Sequence, residues 1–208
     1  MRKTIPFLMF LLLLSACGEK SIHKQIITHL DEAFDAEEAF SEYQEELLQL
    51  EERDLAIYDE IVQLDDSQVE DLEQLIAEAL QIIEQRDAYL QAEKTAIKQS
   101  KSYFIESEAL IDLIQEEESA NLLAKLFETM LKRYESYEDV YEAYGQSLDL
   151  TENLYEHLQD NHSPVLLNET IEDINDSYER LFQANDQFNR LTKEYNRLKK
   201  EYYALVWE

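Results

Sequence analysis

Apolar positions recur at alternating steps of three and four along most of this chain. Over residues 40–64 they are Phe40, Tyr43, Leu47, Leu50, Ile57, Ile61 and Leu64, with Asp54 as the one charged member of the series. That spacing is a heptad seam and not the two-residue alternation of a strand. The same face continues back through Ala33, Leu30 and Ile26, which predicts a first helix over 21–64. Asp65-Asp66-Ser67 interrupts it, and Ser67-x-x-Glu70 has the form of a capping box that restarts a helix. The second helix carries Ile76, Ala79, Ile83, Leu90, Ile97 and Phe104 on one face, with Arg86, Glu93 and Ser100 at intervening seam positions. A hairpin folded near residue 66 places Arg86 beside Glu46 and predicts a partly buried ion pair there. The pattern changes phase between Ile105 and Glu118, and Glu116-Glu117-Glu118 suits a turn or a helix break.

A third seam then runs unbroken through Leu123, Phe127, Met130, Tyr134, Tyr137, Tyr141, Tyr144, Leu148, Thr151, Tyr155 and Leu158. Asn161-His162-Ser163-Pro164 ends it; Ser163 suits an N-cap and Pro164 the first helical position. The fourth seam includes Leu181, Phe188, Leu191, Tyr195, Leu198 and Tyr202. The predicted fold class is all-α, an elongated antiparallel bundle of three to four long helices with coiled-coil-like packing, forming one domain over 17–208. Composition agrees: 2 Gly and 2 Pro in 208 residues cannot supply the tight turns of a sandwich or barrel.

The first residues follow a different rule. Arg2 and Lys3 precede a run, 5–14, that is apolar apart from Pro6. As a helix it spans about 15 Å, roughly half a bilayer core, which fits the apolar region of an export signal and not a membrane span. It ends in Leu14-Ser15-Ala16-Cys17, the pattern of a bacterial lipobox. A thiol is needed to take a diacylglyceryl group as a thioether, and small residues let a signal peptidase reach the Ala16–Cys17 bond. The expected product has residues 1–16 removed and Cys17 lipidated, holding the chain on the outer face of the cell membrane. The single cysteine also excludes a disulfide framework or a zinc ribbon.

Charge narrows the partners. With 47 acidic and 18 basic side chains the formal charge is −29, which argues against nucleic acid. Without Arg2 and Lys3 the 18 basic groups become 16 and the charge moves from −29 to −31. Teichoic acids and phospholipid headgroups are also anionic, so contact with cell-wall polymer calls for divalent cations, a local basic strip or uncharged contacts to glycan. Arg180, Arg190, Lys193, Arg197, Lys199 and Lys200 form such a strip on the fourth helix, unless the surrounding glutamates neutralise it. Tyr134, Tyr137, Tyr141 and Tyr144 could stack on sugar rings, although their 3–4 spacing is that of a core stripe.

No cofactor or metal centre is expected. None of His23, His29, His157 and His162 has a Glu three residues before it, as a di-iron bundle requires. The sequence contains no Gly-rich phosphate loop and no nucleophile elbow, so no enzyme is expected. The remaining partners are the membrane, through the anchor, and either wall polymer or another envelope protein.

The lipobox, the stretch Arg133-Tyr134-x-x-Tyr137-x-x-x-Tyr141-x-x-Tyr144-x-x-Ser147-Leu148, and Asn175-x-Ser177-Tyr178 with Asn185-x-x-Phe188-Asn189 together resemble the YkyA family of cell-wall-binding lipoproteins from Gram-positive bacteria. The resemblance covers nearly the whole chain. It implies a helical bundle outside the membrane that touches the wall. This chain departs from the family's more lysine-rich pattern in its acidic excess.

Overall fold

Each predicted seam becomes a helix because its apolar residues repeat at the helical period and so share one face that can be buried. The computed structural model describes residues 7–41, 43–65, 67–159 and 164–207, with side chains other than those of 7–19, 39–41, 44 and 164–167. The helices are α1 (Phe7–Ser41), α2 (Gln44–Val62), α3 (Val69–Glu106), the short α4 (Glu108–Ile111), α5 (Glu117–Gln159) and α6 (Pro164–Trp207). Among the described residues no strand occurs, and the all-α bundle is as expected.

The helix expected over 21–64 is described as two helices, α1 ending at Ser41 and α2 starting at Gln44, with Tyr43 in a turn ahead of α2. No Gly or Pro marks the place. Tyr43 keeps right-handed helical angles (φ −89°, ψ −9°), and its carbonyl accepts the Leu47 N–H at 2.9 Å. Tyr43 thus keeps the helical phase, which leaves hydrophobic periodicity undisturbed and explains why the pattern carries no sign of the turn.

The start of α3 also differs. The Ser67–Glu70 box is replaced by an Asp65 turn, in which the Asp65 carboxylate accepts the Ser67 backbone N–H at 2.9 Å and the Ser67 hydroxyl. Those bonds hold the Asp65 carboxyl below its usual range. Gln68 then opens the helix, its carbonyl accepting the Leu72 N–H at 3.1 Å. The predicted break at Glu116 is present. Its carboxylate accepts the N–H groups of Ser119 (2.6 Å) and Glu118 (3.0 Å), capping α5. Ser163 lies outside the described residues; α6 begins at Pro164, a position where the missing N–H costs nothing.

The described chain gathers into two compact units. The first takes residues up to 37, 97–134 and 189–208. Its centre is Phe104, fully buried, whose ring stacks on Phe127 at 4.7 Å and meets Tyr134 and Tyr195 edge-on. A polar cluster lies in the same unit: Arg133 donates to both Glu37 oxygens (2.9 and 2.6 Å) and to Thr192, while Ser100 bridges Glu37 and the Tyr134 hydroxyl. Bidentate geometry of this kind fixes direction as well as distance.

The second unit takes 38–96 and 135–188. Ile57, Ile61, Ile76, Ile83, Leu90 and Leu181 form much of its core, closed by Val140, Tyr144, Leu148 and Tyr155 from α5.

Candidate functional site

The second unit holds a buried charge where the seam of α2 is broken by Asp54 and that of α3 by Arg86. Arg86 is 1% exposed and Asp54 6%. Arg86 donates to Asp54 at 2.8 Å, to the Tyr144 hydroxyl at 3.1 Å and to the Tyr178 hydroxyl at 3.3 Å. Tyr155 donates to the other Asp54 oxygen at 2.7 Å, and the Tyr144 hydroxyl keeps its proton and donates a hydrogen bond to Glu51 at 2.8 Å. The Arg86 guanidinium also lies 3.5 Å from Glu51. Four helices thus meet in one hydrogen-bond chain, whose members polarise one another in a dry setting.

The expected partner of Arg86, Glu46, is not its partner. Glu46 accepts a hydrogen bond from the Tyr89 hydroxyl at 2.7 Å instead. Side chains on a helix lean toward its N-terminus. In an antiparallel hairpin, the N-terminal side of α3 faces later residues of α2. Arg86 therefore reaches past Glu46 to Glu51 and Asp54.

Burial governs the electrostatics here. It pushes the Asp54 carboxyl upward, against the opposing pull of the Tyr155 hydroxyl and of Arg86. For Arg86, burial alone would lower the value, but the oxygens of Tyr144 and Tyr178 outweigh it and the guanidinium stays charged. Burial also raises Tyr144 and Tyr155 well above the usual phenol value. Each of these buried groups has its partner inside the network, Asp54 with Arg86 and Tyr155, and Arg86 with Tyr144 and Tyr178.

Beside this network lies a cleft of about 650 Å³. Tyr144, Tyr178 and Glu51 are shared with the buried network; Leu90, Val140 and Leu181 give the cleft apolar wall, and Leu48 and Phe182 also line it. Its remaining charged lining, Glu45 and Glu93, is acidic. A cleft of this size suits a ligand of several large side chains or a small molecule.

The residues singled out from the sequence are divided between the two units. Tyr134, Tyr137 and Tyr144 are 2%, 0% and 7% exposed and pack the core at the helical period that placed them in line, so they form no open platform for a sugar; Tyr144 borders the cleft at its edge. Tyr137 packs against Phe188 and donates to Glu93 at 3.2 Å. Tyr141 is half-buried, with Lys94 over its ring at 3.5 Å. Of the basic strip, Arg197 is an exposed residue paired with Glu194 at 2.7 Å and with Glu201, and Lys199 reaches Asp31 at 3.1 Å. Arg190 and Lys193 are exposed on α6. The side chains of Ala16 and Cys17 lie outside the described residues.

Sequence reasoning passed over Asp54, Glu51 and the cleft. The signal was present: facing seams that carry Asp54 on α2 and Arg86 on α3, of opposite sign, require a shared solution when both are buried. Among the described residues no group of three or more His, Cys, Asp and Glu side chains is arranged to hold a metal ion, and no helix is long and apolar enough to cross a membrane.

A family model described as "Putative cell-wall binding lipoprotein", that of YkyA, matches residues 21–205. The chain belongs to the YkyA family. The match begins after the lipobox, so it rests on the helical body whose tyrosines and buried Arg86 network have just been described. Among curated relatives of this YkyA-family chain, the uncharacterized lipoprotein YkyA of Bacillus subtilis (strain 168) is 27% identical over 173 residues, covering 83% of this chain and 78% of that protein. A crystal structure of a conserved protein of unknown function from Staphylococcus aureus superposes with a TM-score of 0.63 over 90% of this chain and 95% of that one. At 16% identity that likeness speaks to the fold alone.

Proposed function

We propose that the chain is a surface lipoprotein, freed of residues 1–16, held on the outer face of the cell membrane through lipid on Cys17, and acting as a non-enzymatic binding or structural module between membrane and wall. The observation that carries this reading is Leu14-Ser15-Ala16-Cys17 at the end of a short apolar run, in a chain whose family is described as cell-wall binding. The non-enzymatic part is supported by the way the buried charges of both units are spent on one another, as in Arg86 with Asp54 and Arg133 with Glu37.

Replacing Cys17 with Ala is expected to abolish incorporation of labelled palmitate and to move the protein out of the membrane fraction; labelling that persists refutes the anchor. Wall binding has its own test. Purified protein is expected to co-sediment with peptidoglycan sacculi, more strongly with Mg²⁺, which relieves the repulsion between an acidic chain and an anionic polymer. Protein that stays in the supernatant with and without Mg²⁺ would sink the wall-binding reading. A second reading, an adaptor for another extracytoplasmic protein, is favoured by the large apolar side chains that α2 and α6 leave exposed.

A further inference from the structure

The inner seam of α2 is spent on the core of the second unit, yet a second apolar series lies one position further round the same helix. Leu48, Leu55 and Val62 are spaced by sevens, and they are 54%, 69% and 65% exposed. Residues seven apart share a face with a drift of about 20°, so the three form a stripe about 21 Å long on the outside of α2. At its N-terminal end the stripe runs into the cleft, because Leu48 lines it together with Phe182 of α6, itself 67% exposed. Scattered exposed apolar residues are ordinary; three at heptad spacing leading into an apolar cleft make a continuous surface.

The flanks say what can cover it. The positions bordering the stripe include Glu45, Glu51, Glu52 and Asp59. The only basic residue of α2, Arg53, is held by Glu60 at 2.7 Å and by both oxygens of Glu78 at 2.7 and 3.0 Å. Two copies meeting on this face would set acidic flank against acidic flank, which is destabilising at heptad interfaces. A neutral or acidic helix gains nothing from the rim. A helix with apolar residues at heptad spacing and Lys or Arg beside them satisfies both the stripe and its borders.

We propose that the outer face of α2 and the adjoining cleft form a docking groove for a basic amphipathic helix of another protein. The stripe supplies the apolar seam, Phe182 and Leu48 give the cleft its anchoring pocket, and the carboxylates of the rim set partner choice and orientation. The inference deepens the adaptor reading by naming the partner's chemistry. It is independent of wall binding, since sacculi test one and a peptide the other.

The test uses the intact protein and a labelled synthetic helix of about three heptads, with Leu at the seam and Lys beside it. Binding read by fluorescence anisotropy at physiological salt is expected to saturate at one peptide per chain. The exposed substitutions Leu55→Ser and Phe182→Ser are each expected to weaken it about tenfold, with helicity and Tm unchanged. A control peptide with Ser for every Leu, at the same charge, is expected to bind at least about a hundredfold more weakly. Equal binding of the two peptides, or full affinity in both substituted proteins, would reduce the effect to general attraction by an acidic chain and overturn the proposal. Self-association that Leu55→Ser abolishes would overturn it differently, by making a second copy the occupant.

Discussion

Arg86→Met is expected to cost about 3–5 kcal/mol of stability, although Met fills much of the same volume. The loss comes from what is left behind. Asp54 would remain buried with a charge and no cation, and Tyr144 and Tyr178 would lose the donor their oxygens now accept from. Arg86→Lys should not restore the network, because an ammonium cannot reach Asp54, Tyr144 and Tyr178 in the fixed fork that a guanidinium provides. Adding Asp54→Leu to Arg86→Met removes both charges and should recover a large part of the loss, giving a coupling of about 1–3 kcal/mol between the two sites. Urea unfolding followed by circular dichroism measures all four corners of the cycle. A pH series adds a sign: in the single variant Asp54 is driven further upward, so folding favours its neutral form and the deficit should shrink as pH falls toward about 4. An Arg86→Met protein within about 1 kcal/mol of its parent would mean that water reaches the pair.

The second large effect belongs to alkaline pH. Burial raises Tyr134, Tyr137, Tyr144 and Tyr155 on α5, and Tyr195 and Tyr202 on α6, well above the ordinary phenol value. A phenol whose folded value lies above its unfolded one contributes fully below about pH 10, and that contribution is lost as pH rises further, because the unfolded chain ionises first. Six such groups, one pH unit above the ordinary value, together withdraw about 8 kcal/mol, which is comparable with the whole stability of a typical domain. The protein is therefore expected to unfold sharply between about pH 10 and pH 12, with phenolate absorbance and helicity changing together. A gradual rise of phenolate absorbance over intact helicity would show that the rings are reached by water in the folded state.

The sequence announced the helices more clearly than the site. The series from Leu123 to Tyr155 is buried almost without exception, because one uninterrupted heptad repeat leaves a helix only one face to hide. The turn at Tyr43 left no trace, since its helical angles move no residue to another face. The partner of Arg86 was misplaced by about two turns because seam spacing gives the position of Cα atoms, while a long side chain acts where its head group ends. The outer stripe escaped for another reason. Leu48, Leu55 and Val62 each adjoin a member of the inner seam, so the stronger repeat beside them absorbed the signal.

One contact near the start of the chain bears on reach. His23 Nδ1 lies 2.7 Å from the hydroxyl of Tyr202, which is fully buried, and Ile26 behind it is buried as well. In a chain held by lipid at Cys17, only the few residues before His23 are left as a leash. They span about 9 Å as the helix in which α1 places them and about 20 Å if pulled straight. If the proposed lipid on Cys17 holds the chain, the first unit would stand no further from the lipid surface than that short tether allows. Lengthening that tether with inserted Gly-Ser would change how far the protein can stand off while leaving every packed residue in place.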